Sequence, residues 1–238
     1  MTQHEVIVDD DPARLAAGLV AAAIEEAVAK GGRCRLVVSG GRTPVRFFGR
    51  LTRDHAVPWA QVHLFWADER FVPHDHADSN YGSAREHLVE PSGIPAENVH
   101  PWPIGEDPEQ AAKQYARTLE LYAGSPPEFD VTVLGLGADG HTASLFPHSP
   151  AVSKGGTTVA TVQPGSGVRR LSLTLEALNT SRLVLFLVTG EEKRRALTAL
   201  LAADHAGDQA DVQAVVQEIP ARGVSARERL VIVTDVQI

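Results

Sequence analysis

Three stretches of this chain hold side chains that can bind anions or move protons, and two of them are rich in glycine. Ser39-Gly40-Gly41-Arg42-Thr43-Pro44 follows the apolar run Leu36 to Val38. Its glycines let the backbone approach a ligand closely, amides at the start of the next helix can donate to phosphate oxygens, and Ser39 and Thr43 add hydroxyl donors. The same residues also suit a plain tight turn in which Thr43 only caps the helix that Pro44 opens. Asp68-Glu69-Arg70 follows Val62 to Trp66. Here Arg70 can grip a phosphate through two N–H groups and an acid can orient a base, although such a triplet equally fits a solvated loop or a salt-bridge set.

The third stretch, Gly135-Leu136-Gly137-Ala138-Asp139-Gly140-His141, follows Val131 to Leu134. It matches the dinucleotide pattern GxGxxG, but such a site wants an acid about 20 residues further on for the ribose. No Asp or Glu occurs from His141 through Leu175; the stretch instead holds Lys154, Arg169 and Arg170. That local positive bias suits an anionic substrate. With an ordinary pKa of about 6.5, a histidine at this position is largely neutral above pH 7 and can take a proton. His141 is therefore the candidate general base; the bland alternative is a histidine bonded within its own turn. Lys193, after Val188-Thr189-Gly190, is a further candidate anion contact or a surface residue. His74 and His76 flank Asp75 without an established ligand spacing. His63 sits inside a strand pattern, and His4, His55, His87, His100, His148 and His205 have no constellation around them. Gly-x-Ser-x-Gly, Gly-x-x-x-x-Gly-Lys and His-Glu-x-x-His are all missing, which leaves covalent serine, P-loop and zinc-protease chemistry without support.

The elements that must carry these residues alternate short apolar runs with helical patterns, the signature of a parallel sheet with crossover helices. Strands are predicted at Glu5 to Val8, Cys34 to Ser39, Val62 to Trp66, Val131 to Leu134, Thr158 to Val162, Arg170 to Leu173, Leu183 to Val188 and Leu230 to Thr234. Helices are predicted from Pro12 to the stop at Gly31 and Gly32, then at Ser83 to Leu88, Glu109 to Leu121, His141 to Leu145, Glu191 to Ala202 and part of Asp211 to Gln217. Val89 to Asp107, rich in Pro and Gly, reads as a long surface connection. The expected fold is α/β, a single domain over residues 1–238, with a mostly parallel Rossmann-like sheet covered by helices on both faces. At 238 residues with 43% hydrophobic and 22% charged content, disorder and fibrous classes drop out. Against 30 acids stand 22 basic residues, a net charge of -8, which disfavours nucleic acid as a partner. The lone Cys34 cannot form an internal disulfide, the N-terminus lacks a long apolar region, and no run is long enough to span a bilayer. The expectation is a cytoplasmic protein with no membrane partner and no evident obligate protein partner.

Read together, Leu36 to Pro44, Phe65 to Arg70, Gly135-Leu-Gly-Ala-Asp-Gly-His-Thr-Ala-Ser-Leu-Phe-Pro147, Arg170 to Thr174 and Leu183 to Lys193 resemble the 6-phosphogluconolactonase family, related to the glucosamine-6-phosphate deaminase/isomerase superfamily. The resemblance spans nearly the whole chain, and Asp139 to Pro147 is its most specific piece. Arg42 departs from it, since the family usually shows a small serine there. The resemblance implies the sugar-phosphate isomerase/deaminase-like fold. It also implies hydrolysis of 6-phosphogluconolactone to 6-phosphogluconate, in the oxidative pentose phosphate pathway, without a metal or organic cofactor. It gives His141 the base role and has Asp68 orient or polarise it. Ser39, Gly40, Gly41, Arg42, Thr43, Arg70, Arg170 and Lys193 hold the phosphorylated sugar lactone, with Gly137, Asp139 and Gly140 completing the contact set. A deaminase is the second enzyme reading. Such enzymes usually place an acid after the histidine turn, where this chain has Ser144-Leu145-Phe146-Pro147. A non-catalytic sugar-phosphate sensor is the reading of another class, and it predicts binding without turnover.

Overall fold

The computed structural model describes residues 4–41, 43–202 and 209–238. Its chain runs β1 (His4–Val8), α1 (Pro12–Gly31), β2 (Cys34–Val38), α2 (Thr43–Asp54), β3 (Val62–Trp66), β4 (Asp68–Arg70), α3 (Asn80–Ala84), α4 (Glu90–Ser92), β5 (Val99–His100), α5 (Pro108–Ala123) and β6 (Val131–Leu134). It continues through β7 (Thr158–Val162), β8 (Arg169–Leu173), α6 (Leu175–Leu178), β9 (Leu183–Val188), α7 (Arg194–Leu201), α8 (Gln209–Glu218) and β10 (Arg229–Thr234).

Seven strands form one sheet in the order β1-β10-β9-β6-β2-β3-β5, every neighbouring pair parallel. Parallel strands bury both faces, so their residues need not alternate. β6 is buried at all four positions and β9 at five of six. Helix α1 starts where the Asp11 carboxylate accepts from the Arg14 amide and Pro12 presets the first turn; it stops at Gly32, whose φ of 71° donates its N–H to Val28. Its buried side is mostly alanine, with Val20 and Ile24. Small side chains let this long helix lie close over the sheet.

From β2 the chain builds outward through β3 and β5, then returns to place β6 on the other side of β2. Loops leaving β2 and β6 therefore diverge, opening a crevice at the carboxyl ends of the strands, where ligands of such sheets gather. Around that crevice and beside it the structure differs from expectation in several ways. Asp68 to Arg70, expected as a loop, forms β4 of a separate antiparallel sheet, β4-β8-β7. Charged residues hide this strand from a hydrophobic pattern because their burial is supported by hydrogen bonds. The segment His141 to Leu145 is not helical. It is a turn closed by the Leu145 amide on the Thr142 carbonyl at 3.0 Å, with Ala143 at a φ of 49°, a conformation a right-handed helix excludes. Finally, Val89 to Asp107 carries α4, a turn of 3-10 helix at Ala96–Asn98, β5 and the fully buried Trp102. A strand of two residues is too short to leave a periodicity. The helix expected from Ser83 begins earlier, capped by Ser79 on the Gly82 amide, and passes through a π turn (Arg85–Val89) into α4. Among the described residues no helix is long and apolar enough to cross a membrane.

Candidate active site

The carboxyl ends of β2, β6 and β9 and the β4–β8 pair open onto one cleft of about 760 Å³. Of the residues expected to act there, it is lined by Ser39, Gly40, Gly41, Thr43, Asp68, Arg70, Gly137, His141, Arg170 and Lys193. Arg42 lies outside the described residues, as does His205. Asp139 and Gly140 are not part of the lining. Gly140 holds a φ of 89°, and a Cβ there would meet the Ile219 side chain at 2.8 Å, so only glycine suits this corner.

On the β2 side, the Ser39 hydroxyl donates to the Val133 carbonyl across the crevice at 3.1 Å. Thr43 Oγ1 pairs with Thr189 Oγ1 at 3.0 Å, tying the loop after β2 to the loop after β9. Asp235 tightens the second loop by accepting the Gly190 amide at 2.9 Å. Lys193 lies in the one-turn 3-10 helix that precedes α7 and faces the cleft with Arg46.

On the β6 side, the loop folds back on itself. The Gly137 amide donates to the His141 carbonyl at 2.8 Å, and Thr142 Oγ1 donates to the Gly135 carbonyl at 2.9 Å. This brings Asp139 beside His141, with Oδ1 to Nδ1 at 2.6 Å and the His141 amide donating to the same oxygen at 3.2 Å. Burial works to raise the Asp139 carboxyl, but hydrogen bonding and charge from His141 outweigh it and hold the group below its ordinary range. With Nδ1 committed to the carboxylate, Nε2 is the nitrogen left for the cleft. The glycine at 137 is a requirement of this pair: a Cβ there would fall 2.1 Å from His141 Nδ1 and 2.5 Å from Asp139 Oδ1.

Asp68, expected to orient His141, is bonded elsewhere. Its Oδ2 accepts from Ser144 Oγ at 2.6 Å, and its Oδ1 from Asn80 Nδ2 at 3.2 Å. The carboxylate on the ring is that of Asp139, because the turn carries residue 139 back to the ring two positions later. Glu69, fully buried, takes the amides of Arg70, Asn80 and Tyr81 and the Ser79 hydroxyl at 2.6–3.1 Å. Burial pushes its carboxyl up, and those donors oppose the shift. Glu69 thus pins the start of α3 to β4 and sets Asn80 against Gly40, where a Cβ would lie 1.9 Å from Asn80 Oδ1.

Arg70 and Arg170 face each other across the β4–β8 pair. Arg70 donates to the Asp78 carbonyl at 2.6 Å, and Arg170 to Gln163. Both Nε groups are buried without a hydrogen-bond partner among the described residues. Burial, then the neighbouring Arg70 charge, lowers the Arg170 pKa. Two adjoining guanidinium groups with unused donors make this wall attractive to a multivalent anion. Arg46, Asn80, Ser144, Gln163, Thr189 and Asp235 also line the cleft, with Glu192 and Phe146 among others. No sequence pattern marks Arg46, Asn80, Gln163 or Asp235; Ser144 stood out only where a deaminase has an acid, and Thr189 only at a strand-to-helix junction. His74 is structural, its Nε2 lying 2.9 Å from the Trp102 carbonyl. Among the described residues no group of three or more His, Cys, Asp or Glu could hold a metal ion.

A family model described as glucosamine-6-phosphate isomerases/6-phosphogluconolactonase matches residues 9–232. The 6-phosphogluconolactonase of Synechocystis sp. is 41% identical over 219 residues, covering 90% of this chain and 87% of its own length. That of Mycobacterium tuberculosis is 39% identical over 209 residues, covering 83% and 85%. The crystal structure of the Thermotoga maritima 6-phosphogluconolactonase superposes with a TM-score of 0.85 at 30% identity, covering 98% of this chain and 99% of that one. The sheet order, the strand-end cleft and these likenesses lead to one conclusion: the chain belongs to the glucosamine-6-phosphate isomerase/6-phosphogluconolactonase family.

Proposed function

We propose that this chain hydrolyses 6-phosphogluconolactone to 6-phosphogluconate with His141 as the general base. The observation that carries the proposal is the His141 ring on the cleft, its Nδ1 held by Asp139 at 2.6 Å, in the same cavity as the Arg70 and Arg170 pair. The substrate has a dianionic phosphate at one end and an uncharged cyclic ester at the other, and the cleft offers a group suited to each. Arg70, Arg170 and Lys193 bind the phosphate, fixing the distant carbonyl by proximity.

His141 Nε2 then takes a proton from water as the water oxygen bonds to the carbonyl carbon. Asp139 steadies the imidazolium that forms. As the tetrahedral intermediate collapses, the bond from that carbon to the ring oxygen breaks. His141 returns its proton to that oxygen, leaving a hydroxyl, and the new acid ionises to carboxylate. A positioned base of this kind supplies on the order of 10²- to 10⁴-fold. Ser144 and Phe146, which the histidine turn gives to the cleft, carry no carboxylate for opening an amino-sugar ring.

The test is a coupled assay on freshly generated lactone with the no-enzyme rate subtracted. His141→Gln is expected to lose about 100-fold or more of kcat while keeping its circular dichroism spectrum and its affinity for 6-phosphogluconate. Full activity in this variant would remove His141 from the mechanism. Product binding without any turnover by the wild type would favour a sensor.

A further inference from the structure

We infer that Asp68 is a positioning residue that acts through Ser144 to hold the His141 turn, a role that rests on His141 being the base. The turn is anchored at both ends. On the β6 side the anchors are the Gly137 to His141 bond and the Thr142 hydroxyl on Gly135. On the other side two anchors from the small sheet meet on Ser144, which is fully buried. Its amide donates to Ser172 Oγ at 3.2 Å and its hydroxyl to Asp68 Oδ2 at 2.6 Å. Asp68 and Ser172 are register partners in the β4–β8 pair, so Ser144 is clamped by two facing residues of the small sheet.

Between the two sets of anchors lies Ala143 at a φ of 49°. A non-glycine residue keeps that conformation only where its surroundings over-determine it. The second carboxylate oxygen of Asp68 is held by Asn80, which is itself seated by Glu69 and packed on Gly40. Asp68 therefore transmits the rigidity of β4 to the segment that carries the imidazole.

The experiment is a double-mutant cycle between Asp68 and Ser144, read as kcat, KM and the pH dependence of kcat/KM. Asp68→Ala and Ser144→Ala should each lower kcat by about 100-fold, the scale of an ångström of misplacement, with KM moved by no more than about twofold. The double variant should lose no more than either single one. Asp68→Asn keeps an oxygen for the Ser144 hydroxyl and should retain about tenfold more kcat than Asp68→Ala, with both limbs of the pH profile in place. Amide exchange across residues 141–145 should quicken in Ser144→Ala, the milder change for folding. The inference is overturned if Ser144→Ala keeps wild-type kcat while Asp68→Asn is as inactive as Asp68→Ala and lacks a limb of the profile. Asp68 would then titrate against the substrate itself. Losses that multiply in the double variant also overturn it. The base role of His141 fails separately, through activity in His141→Gln.

Discussion

Substituting Gly137 by alanine tests the imidazole's placement without touching the imidazole. The backbone there does not demand glycine, since its φ is not among the positive ones. The whole effect therefore comes from one methyl group, whose carbon would sit 2.1 Å from His141 Nδ1, 2.4 Å from Cε1 and 2.5 Å from Asp139 Oδ1. Ordinary contact starts at 3.4 Å, so the ring must retreat by about 1.3 Å, and a misplacement of about 1 Å costs on the order of 100-fold in rate. At about 1.36 kcal/mol per tenfold, that is about 2.7 kcal/mol of lost transition-state stabilisation. It should fall on kcat, with KM moved by no more than about threefold, because the arginine wall lies on other strands. Steady-state kinetics on fresh lactone measures both, and the thermal transition shows whether the fold survives. A Gly137→Ala enzyme within about threefold of wild-type kcat, a small fraction of the expected loss, would refute the idea that catalysis depends on this pairing of His141 with Asp139.

Arg170→Ala should raise KM by about 10- to 100-fold with little change in kcat, the worth of a charge-assisted contact of roughly 1.5–3 kcal/mol; an unchanged KM in the same assay argues against Arg170 as a phosphate anchor. Gly40→Ala drives a methyl carbon to 1.9 Å from Asn80 Oδ1 and should cut kcat/KM by about tenfold or more through the Asn80 contact with Asp68, whereas wild-type kinetics would mean that this network is slack. His63 and His100 lie in contact at 3.0 Å, and burial lowers both pKa values, that of His100 to about 4. The unfolded chain protonates its histidines first as pH falls, so the stability contributed by His100 is complete above about 6.5 and is lost toward about 4, up to about 3 kcal/mol. Urea midpoints between pH 7 and 4 should drop less steeply in His100→Gln than in wild type, and parallel curves would refute the assignment.

What could be read without coordinates follows from what each element buries. Leu183 to Val188 is a continuous apolar run, Val62 to Trp66 and Val131 to Leu134 are interrupted only by His63 and Thr132, and the strands have those bounds, since two covered faces leave apolar residues at both ends of each run. The cleft was legible for a related reason: glycine-bearing loops after strands mark the end of the sheet where ligands bind. That Asp139 and not Asp68 meets the His141 ring could not be read locally, because residues two apart meet only if the chain reverses, and the reversal is made by Gly140 at a φ of 89° and by the Gly137 amide on the His141 carbonyl. Contacts such as Thr43 with Thr189, 146 residues apart, leave no mark on local spacing. Buried charges in β4 are likewise silent, because Glu69 is stabilised by amides that any residue type would supply.

The position of β10 has its own consequence. It is the last strand in sequence, yet it lies between β1 and β9. During synthesis, β1 emerges first and has no partner until residues 229–234 leave the ribosome, while β9 waits with one bare edge. Open strand edges of this kind recruit other chains. The nascent polypeptide is therefore most vulnerable to self-association just before its final strand slots into the gap, and slowing translation upstream of residue 229 should prolong that window.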